Sequence, residues 1–312
     1  MTVRGFDGVT LVPLGGSGPE DVLVDERGRV YAGLDDGRIV RIAGARAPVE
    51  TVARVPGRPL GLEFLGDDEL LVCASEAGLL AVSLVSGQVR VLTDQVAGRP
   101  LKAVNNAAVA HDGTIYFTDS SERFPIPQWR ADLVHRTRSG RLFRRSPGGE
   151  VTELLGGLEF ANGVALARDE SYVAVAETGA RRLHRVWLTG DRAGTSELFG
   201  NRLSGYPDNI ALGSDGLIWI ALAGPEAPQL ARIQALPTPV RTLVTRIPSR
   251  LQPKPDRTVS AVAVDDDGRV VHEFRGRIEG FWFLTAVRER DGRLWLGSLE
   301  GGAVGTLDTT AG

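Results

Sequence analysis

The 312-residue sequence contains one cysteine, Cys73, and four histidines. A single cysteine excludes an intrachain disulfide and allows a reducing compartment. Cys73 lies inside an apolar run and is expected to be buried. No apolar run reaches the roughly 18 residues of a membrane-spanning helix. The opening MTVRGFDGVTLVPLGG lacks the charged start, long apolar stretch and cleavage site of a secretory signal. The formal net charge is only −3, too weakly polarised to predict a nucleic-acid surface. These absences predict a cytoplasmic protein with neither a membrane nor a nucleic-acid partner; oligomeric state is left open.

Glycine is plentiful, at 39 residues, as tight turns require. The stretch FANGVALARDESYVAVAET, Phe160 to Thr178, reads as a strand, a turn at Asp169-Glu170 and a second strand. The same pattern recurs from Glu20, Leu60, Asn105 and Asp208, with a compressed copy from Leu284. Each copy is followed by two more strand-like runs. Six hairpins at spacings of roughly 40–60 residues, four strands to a unit, predict an all-β, six-bladed propeller forming one domain over residues 1–312. Residues 6–14, or the run after Gly302, are expected to close the ring and remove its free edges.

The register carries a functional expectation. Eight positions before the second turn residue of each hairpin stand Glu20, Leu60, Asn105, Asn162, Asp208 and Leu284, the last beside Thr285. Equivalent positions in a radial array share one axis, so four oxygen-bearing side chains are predicted to meet there. An all-oxygen set suits a hard cation with flexible coordination, calcium above all. Zinc would draw on histidine or cysteine. The competing reading is that each Asn or Asp merely starts a turn.

Two segments interrupt the period: 121–139, and a proline-rich stretch at 225–257 with helical spacing in QLARIQAL and VRTLVTRI. Both follow second strands, which return to the donor face. Both are therefore expected to lie over that face as a lid. The glutamates Glu76, Glu177 and Glu300, in register with Asp119, are expected to cap strands on a solvated rim.

The runs GRPLGLEF, NNAAVAHDGTIYFTDSS, GLEFANGVALARDESYVAVAET, GYPDNIALGSDGLIWIAL and RDGRLWLGSLEGGAVG together resemble strictosidine synthase-like proteins. That group is similar to gluconolactonases, paraoxonases and diisopropyl fluorophosphatase, six-bladed propellers with axial calcium. The resemblance implies metal-ligand positions at Glu20, Asn105, Asn162, Asp208 and Asn209. Thr285 stands where plant strictosidine synthases carry a catalytic glutamate, and Leu60 where paraoxonases carry a histidine; neither mechanism is expected to transfer. Asn105-Asn106 replaces the usual Asn-Asp pair of the third blade.

The expected activity is calcium-dependent hydrolysis of a small-molecule ester, lactone or phosphotriester. A biosynthetic cyclase or isomerase, and a binding propeller with structural calcium, are the alternatives. Candidate catalytic groups are Asp208, Asp119 and His135. Leu60, Asn106, Trp129, Arg130 and Thr285 are expected to touch substrate. His111, His184 and His272 are expected to be solvated or structural.

Overall fold

The computed structural model describes residues 2–44, 47–248 and 256–309. Six antiparallel sheets stand radially around one axis, and chain order is blade order. The inner strands are Val22–Val24, Pro59–Phe64, Val104–Val109, Ala161–Leu166, Gly205–Leu212 and Leu284–Arg290. Each steps outward through three further strands, joined by tight turns such as those at Gly28, Gly113 and Gly216, all with positive φ.

Closure uses both expected runs. Ala303–Asp308 is the third strand of blade 6, and Thr10–Pro13 pairs antiparallel with it as the fourth. The ring is thus fastened by an early strand paired with a late one, which completes blade 6. A feature the sequence pattern does not signal is Val3–Arg4, which adds a parallel fifth strand to blade 5 against Glu273 and Phe274.

Between blades the core is alternating aliphatic and aromatic side chains; Tyr31, Phe117, Phe143, Phe199 and Phe274 are almost fully buried. Cys73 is buried among them, as its apolar run predicts.

The two insertions are helical. The first holds α1, Trp129–His135; the second holds α2, Pro228–Gln234, and α3, Thr238–Thr245. Helix α1 packs against both α2 and α3. Gln234 Nε2 donates to the Leu133 carbonyl at 2.8 Å, and an Arg241 guanidinium nitrogen donates to that of His135 at 3.0 Å. The two insertions therefore form one cap. Among the described residues no helix is long and apolar enough to cross a membrane.

Candidate functional site

A regular strand sends alternate side chains to opposite faces. The inner strands break that rule where it matters. Strand register shifts between Pro59 and Leu62, Val104 and Ala107, Ala161 and Val164, Pro207 and Ile210, and Leu284 and Ala286. Each shift is a bulge, which adds a residue and re-aims a side chain. Consecutive residues, Asn105-Asn106 and Asp208-Asn209, thereby both belong to the axial region. Glycine lets the strands close up there. A Cβ on Gly163 would lie 2.3 Å from the Ile210 backbone nitrogen, and one on Gly61 2.7 Å from the Asn106 Cα.

The upper level of the axis holds Glu20, Asn105, Asn162, Asp208 and Asn209, all at most 9% exposed. Their amide nitrogens are committed. Asn105 Nδ2 donates to Ser120 Oγ at 2.9 Å, Asn162 Nδ2 to Thr178 Oγ1 at 3.2 Å, and Asn209 Nδ2 to Glu20 Oε1 at 3.0 Å. Their oxygens are not: Asn105 Oδ1, Asn162 Oδ1, Asn209 Oδ1 and Glu20 Oε2 are buried with no hydrogen-bond partner. A buried oxygen without a donor costs about 1–3 kcal/mol. These four stand on the inner strands of four blades, Glu20 just before its own, and a cation among them would supply the partner each lacks.

The backbone beneath them is held as well. Thr118, Thr178 and Thr285 each donate at 2.7 Å to the carbonyl of a neighbouring blade: Asn162, Pro207 and Glu20 respectively. Burial, reinforced by repulsion from Asp208 and Asp21, pushes the Glu20 carboxyl well above the usual range; Arg58 and Asn209 offset part of this. Burial likewise raises Asp208, to about 7, with Asp21 adding to the effect and Asn162 opposing it. A divalent cation among these oxygens favours the ionised form of both. Among the described residues no three His, Cys, Asp or Glu side chains cluster as a metal site. The donor set here is instead carboxylate and amide oxygen, which suits calcium.

The expected substrate contacts divide. Leu60, 1% exposed, packs with Ala103, Phe160 and the cap residues Ile126 and Leu133, with Trp129 and Leu230 at the margin. Trp129 also meets Phe283 at 5.9 Å between ring centres, and Arg130 lies over Trp129 at 5.0 Å. The cap thus covers the donor face with an apolar underside. Asn106 and Thr285 are placed differently. Asn106 is fully buried, accepting the Val164 N–H at 2.9 Å and facing Asp21; Thr285 spends its hydroxyl on the Glu20 carbonyl. Both tie blades together beneath the ring and are corrected from substrate contact to scaffold.

Of the candidate bases, Asp119 has both oxygens occupied, by the Ala103 N–H at 2.8 Å and by Arg141 at 2.7 Å. His135 stacks on Phe124 within the cap. His111 pairs with Glu170 on the surface, His272 stacks on Trp219, and His184 bonds Glu177 at 2.8 Å. Glu177 is a further correction: it is 2% exposed, not on a solvated rim. It accepts the Glu159 N–H, Arg182 and His184, fastening the end of its strand.

Two site residues escape the pattern altogether. Phe160, two positions before Asn162, and Phe283, two positions before Thr285, hold φ of +66° and +56°. Non-glycine residues rarely adopt this conformation, and it concentrates at functional sites. It carries both rings to the cap.

Residues 35–245 match the SMP-30/gluconolactonase/LRE-like region, and residues 5–42 the N-terminal region of strictosidine synthase-like proteins. Strictosidine synthase-like protein 10 of Arabidopsis thaliana is 34% identical over 91% of this chain and 83% of its own. The adipocyte plasma membrane-associated protein of Salmo salar is 32% identical over 89% of this chain and 73% of its own. Among solved structures, a gluconolactonase of Xanthomonas campestris superposes with a TM-score of 0.69 at 15% identity, covering 96% of this chain and 89% of that one. Regucalcin of Agrobacterium tumefaciens, described as a calcium-binding protein, gives 0.67 at 17%, covering 99% and 96%. The chain belongs to the SMP-30/gluconolactonase/LRE-like family of β-propellers and, within it, is similar to the strictosidine synthase-like proteins.

Proposed function

We propose that this chain is a calcium-dependent hydrolase of small esters or lactones. The observation that carries the reading is the set of four buried, unpartnered oxygens on Glu20, Asn105, Asn162 and Asn209, beneath an apolar cap. Together with Asp208 they would hold the ion. Bound there, calcium supplies Lewis acidity toward a substrate carbonyl or phosphoryl oxygen.

The chain's own residues do the rest. Leu60, Phe160, Trp129 and Phe283 offer apolar surface to the body of a substrate and keep bulk water out. Asp208, 9% exposed, is the most open of the buried axial carboxylates, against 3% for Glu20 and 1% for Asp21. In this reading it takes a proton from an attacking water. Water oxygen bonds to the acyl carbon as its proton passes to Asp208, the ester C–O bond breaks, and the leaving alkoxide takes that proton back from the Asp208 carboxyl. Pro207 restricts the backbone just before Asp208, and the Thr178 hydroxyl holds the Pro207 carbonyl. A fixed base is worth more than a mobile one.

The test is turnover of a panel of γ- and δ-lactones and aryl esters, with calcium and with chelator. Calcium-dependent turnover that Asp208→Asn abolishes supports the reading. Calcium binding with no turnover on any member would assign the protein to binding instead.

A further inference from the structure

Below the four-oxygen level lies a second level of axial polar groups, and at its centre is a positive charge belonging to the chain. Arg288, on the inner strand of blade 6, has a side chain only 14% exposed. Its guanidinium donates to Glu63 at 3.1 Å, to Asp21 Oδ2 at 3.3 Å and to the Leu62 carbonyl at 2.9 Å. Every one of these acceptors is an oxygen. Asp21, next in sequence to Glu20, also accepts the N–H groups of Val22 and Leu62 and faces Asn106.

The placement follows from register. Three positions after Glu20, Leu60, Asn105, Asn162 and Asp208 stand Leu23, Glu63, Ala108, Ala165 and Ala211, and in blade 6, whose register shifts between Leu284 and Ala286, Arg288 stands three after Thr285. All but Glu63 and Arg288 are apolar, and three are alanine. Small side chains on three blades leave width for a guanidinium reaching across, and the one acid at this level stands two blades away, on the far side of blade 1.

Charge gives the same account. Four carboxylates, on Glu20, Asp21, Glu63 and Asp208, interact around the axis with two guanidinium groups, on Arg58 and Arg288. One divalent ion at the upper level brings that set to neutrality. A second ion at the lower level would overshoot, and Arg288 stands in its place.

We propose that Arg288 is the resident cation of a second axial cation site, so that the chain takes up one metal ion and not two. The proposal builds on the upper-level metal reading for its charge count, but the lower site is defined by Asp21, Glu63 and the Leu62 carbonyl alone. Removing the guanidinium withdraws the positive charge on which Asp21 Oδ2, Glu63 Oε2 and the Leu62 carbonyl converge. Asp21 keeps its N–H donors, but two carboxylates lose the cation between them, a donor set that a hard cation fills. Arg288 is a positioning residue in this account; it does not touch substrate.

The experiment is calcium titration by calorimetry, with parallel thermal melts, on the full chain and on Arg288→Ala, Arg288→Lys and Arg288→Ala/Glu63→Gln. The wild-type chain and Arg288→Lys should each bind one ion. Arg288→Ala should bind one more than wild type. It should also melt lowest in chelator and recover most in millimolar calcium. The double variant, having lost a carboxylate, should lose the additional ion and its recovery. Equal stoichiometry in wild type and Arg288→Ala, with equal calcium-induced shifts in melting, overturns the proposal. So does failure of Arg288→Ala to fold at any calcium concentration while Arg288→Lys folds. If wild type binds no ion, the upper-level reading fails; a gain of one ion in Arg288→Ala still supports the lower site, and no gain still refutes it.

Discussion

Acid should expose the weight carried by Glu177. This carboxylate terminates the second strand of blade 4 beneath the cap, and its neighbour Glu159 grips Arg136 and Arg138 of the first insertion at 2.6 and 3.0 Å. Burial by itself would raise the Glu177 pKa. Hydrogen bonds from His184, Arg182 and the Glu159 N–H overcome that and lower it to about 2, from an ordinary 4.5. The folded-state pKa is depressed, so the associated stability is present above pH 4.5 and is lost as pH falls toward 2. A shift of this size corresponds to about 3.5 kcal/mol at most, at roughly 1.4 kcal/mol per pH unit. That is a substantial part of the roughly 5–15 kcal/mol that holds a typical fold. The assay is urea unfolding of wild type and Glu177→Gln at intervals from pH 6 to pH 2.5. The stability difference should be constant above about pH 5 and shrink steadily below it. The axial carboxylates titrate in both proteins and cancel in the difference. Parallel curves across that range would refute the assignment of Glu177 as a strand fastener.

Three further outcomes follow from the site. Calcium at about one hundred times its dissociation constant should stabilise the chain by about 2.7 kcal/mol, read as a raised melting temperature that chelator reverses and Asn162→Ala diminishes. Asp208→Asn keeps an oxygen but loses charge and basicity, so it should abolish turnover while preserving more of the calcium-induced melting shift than Asp208→Ala; Asp119→Asn, which loosens only Arg141 and Ala103, should lower stability and leave turnover measurable. Trp129→Ala removes apolar surface from the underside of the cap and should raise KM more than it lowers kcat, in steady-state assays on whichever lactone is turned over best.

Much of this architecture is legible in the primary structure because a propeller writes one sentence six times. Hairpin period, blade count, closing strand and the two interruptions all follow from repetition, which averages out the ambiguity of any single strand. The axial oxygens were reachable by the same route: Glu20, Asn105, Asn162 and Asp208 fall in one register, and all four are buried at the axis. What repetition hides is anything that departs from it. Val3–Arg4 pairs once, parallel, and among the described residues has no counterpart in other blades. Phe160 and Phe283 owe their orientation to a backbone conformation that residue type argues against.

The bulge is the main reason the site could be only partly foreseen. Simple alternation sends Asn106 and Asn209 away from the axis if Asn105 and Asp208 face it. An added residue in five of the six inner strands cancels that alternation locally, so paired polar residues become two stacked levels. It also removes a ladder position and leaves backbone groups to be matched otherwise. The side chains do this: Asn106 Oδ1 takes the Val164 N–H, Asp21 Oδ2 the Leu62 N–H, and Thr118 reaches the Asn162 carbonyl. Residues that look like spare ligands in the sequence are thus required by the bulges that aim the real ones. The same shift explains the late appearance of Arg288. Three positions beyond Thr285, it reads in a strict two-residue period as facing the opposite side from that axial residue. Counted through the bulge it shares the axial side, opposite three alanines and within reach of Asp21 and Glu63. Register counting that allows one extra residue near the start of each bulged inner strand brings both levels onto the axial side.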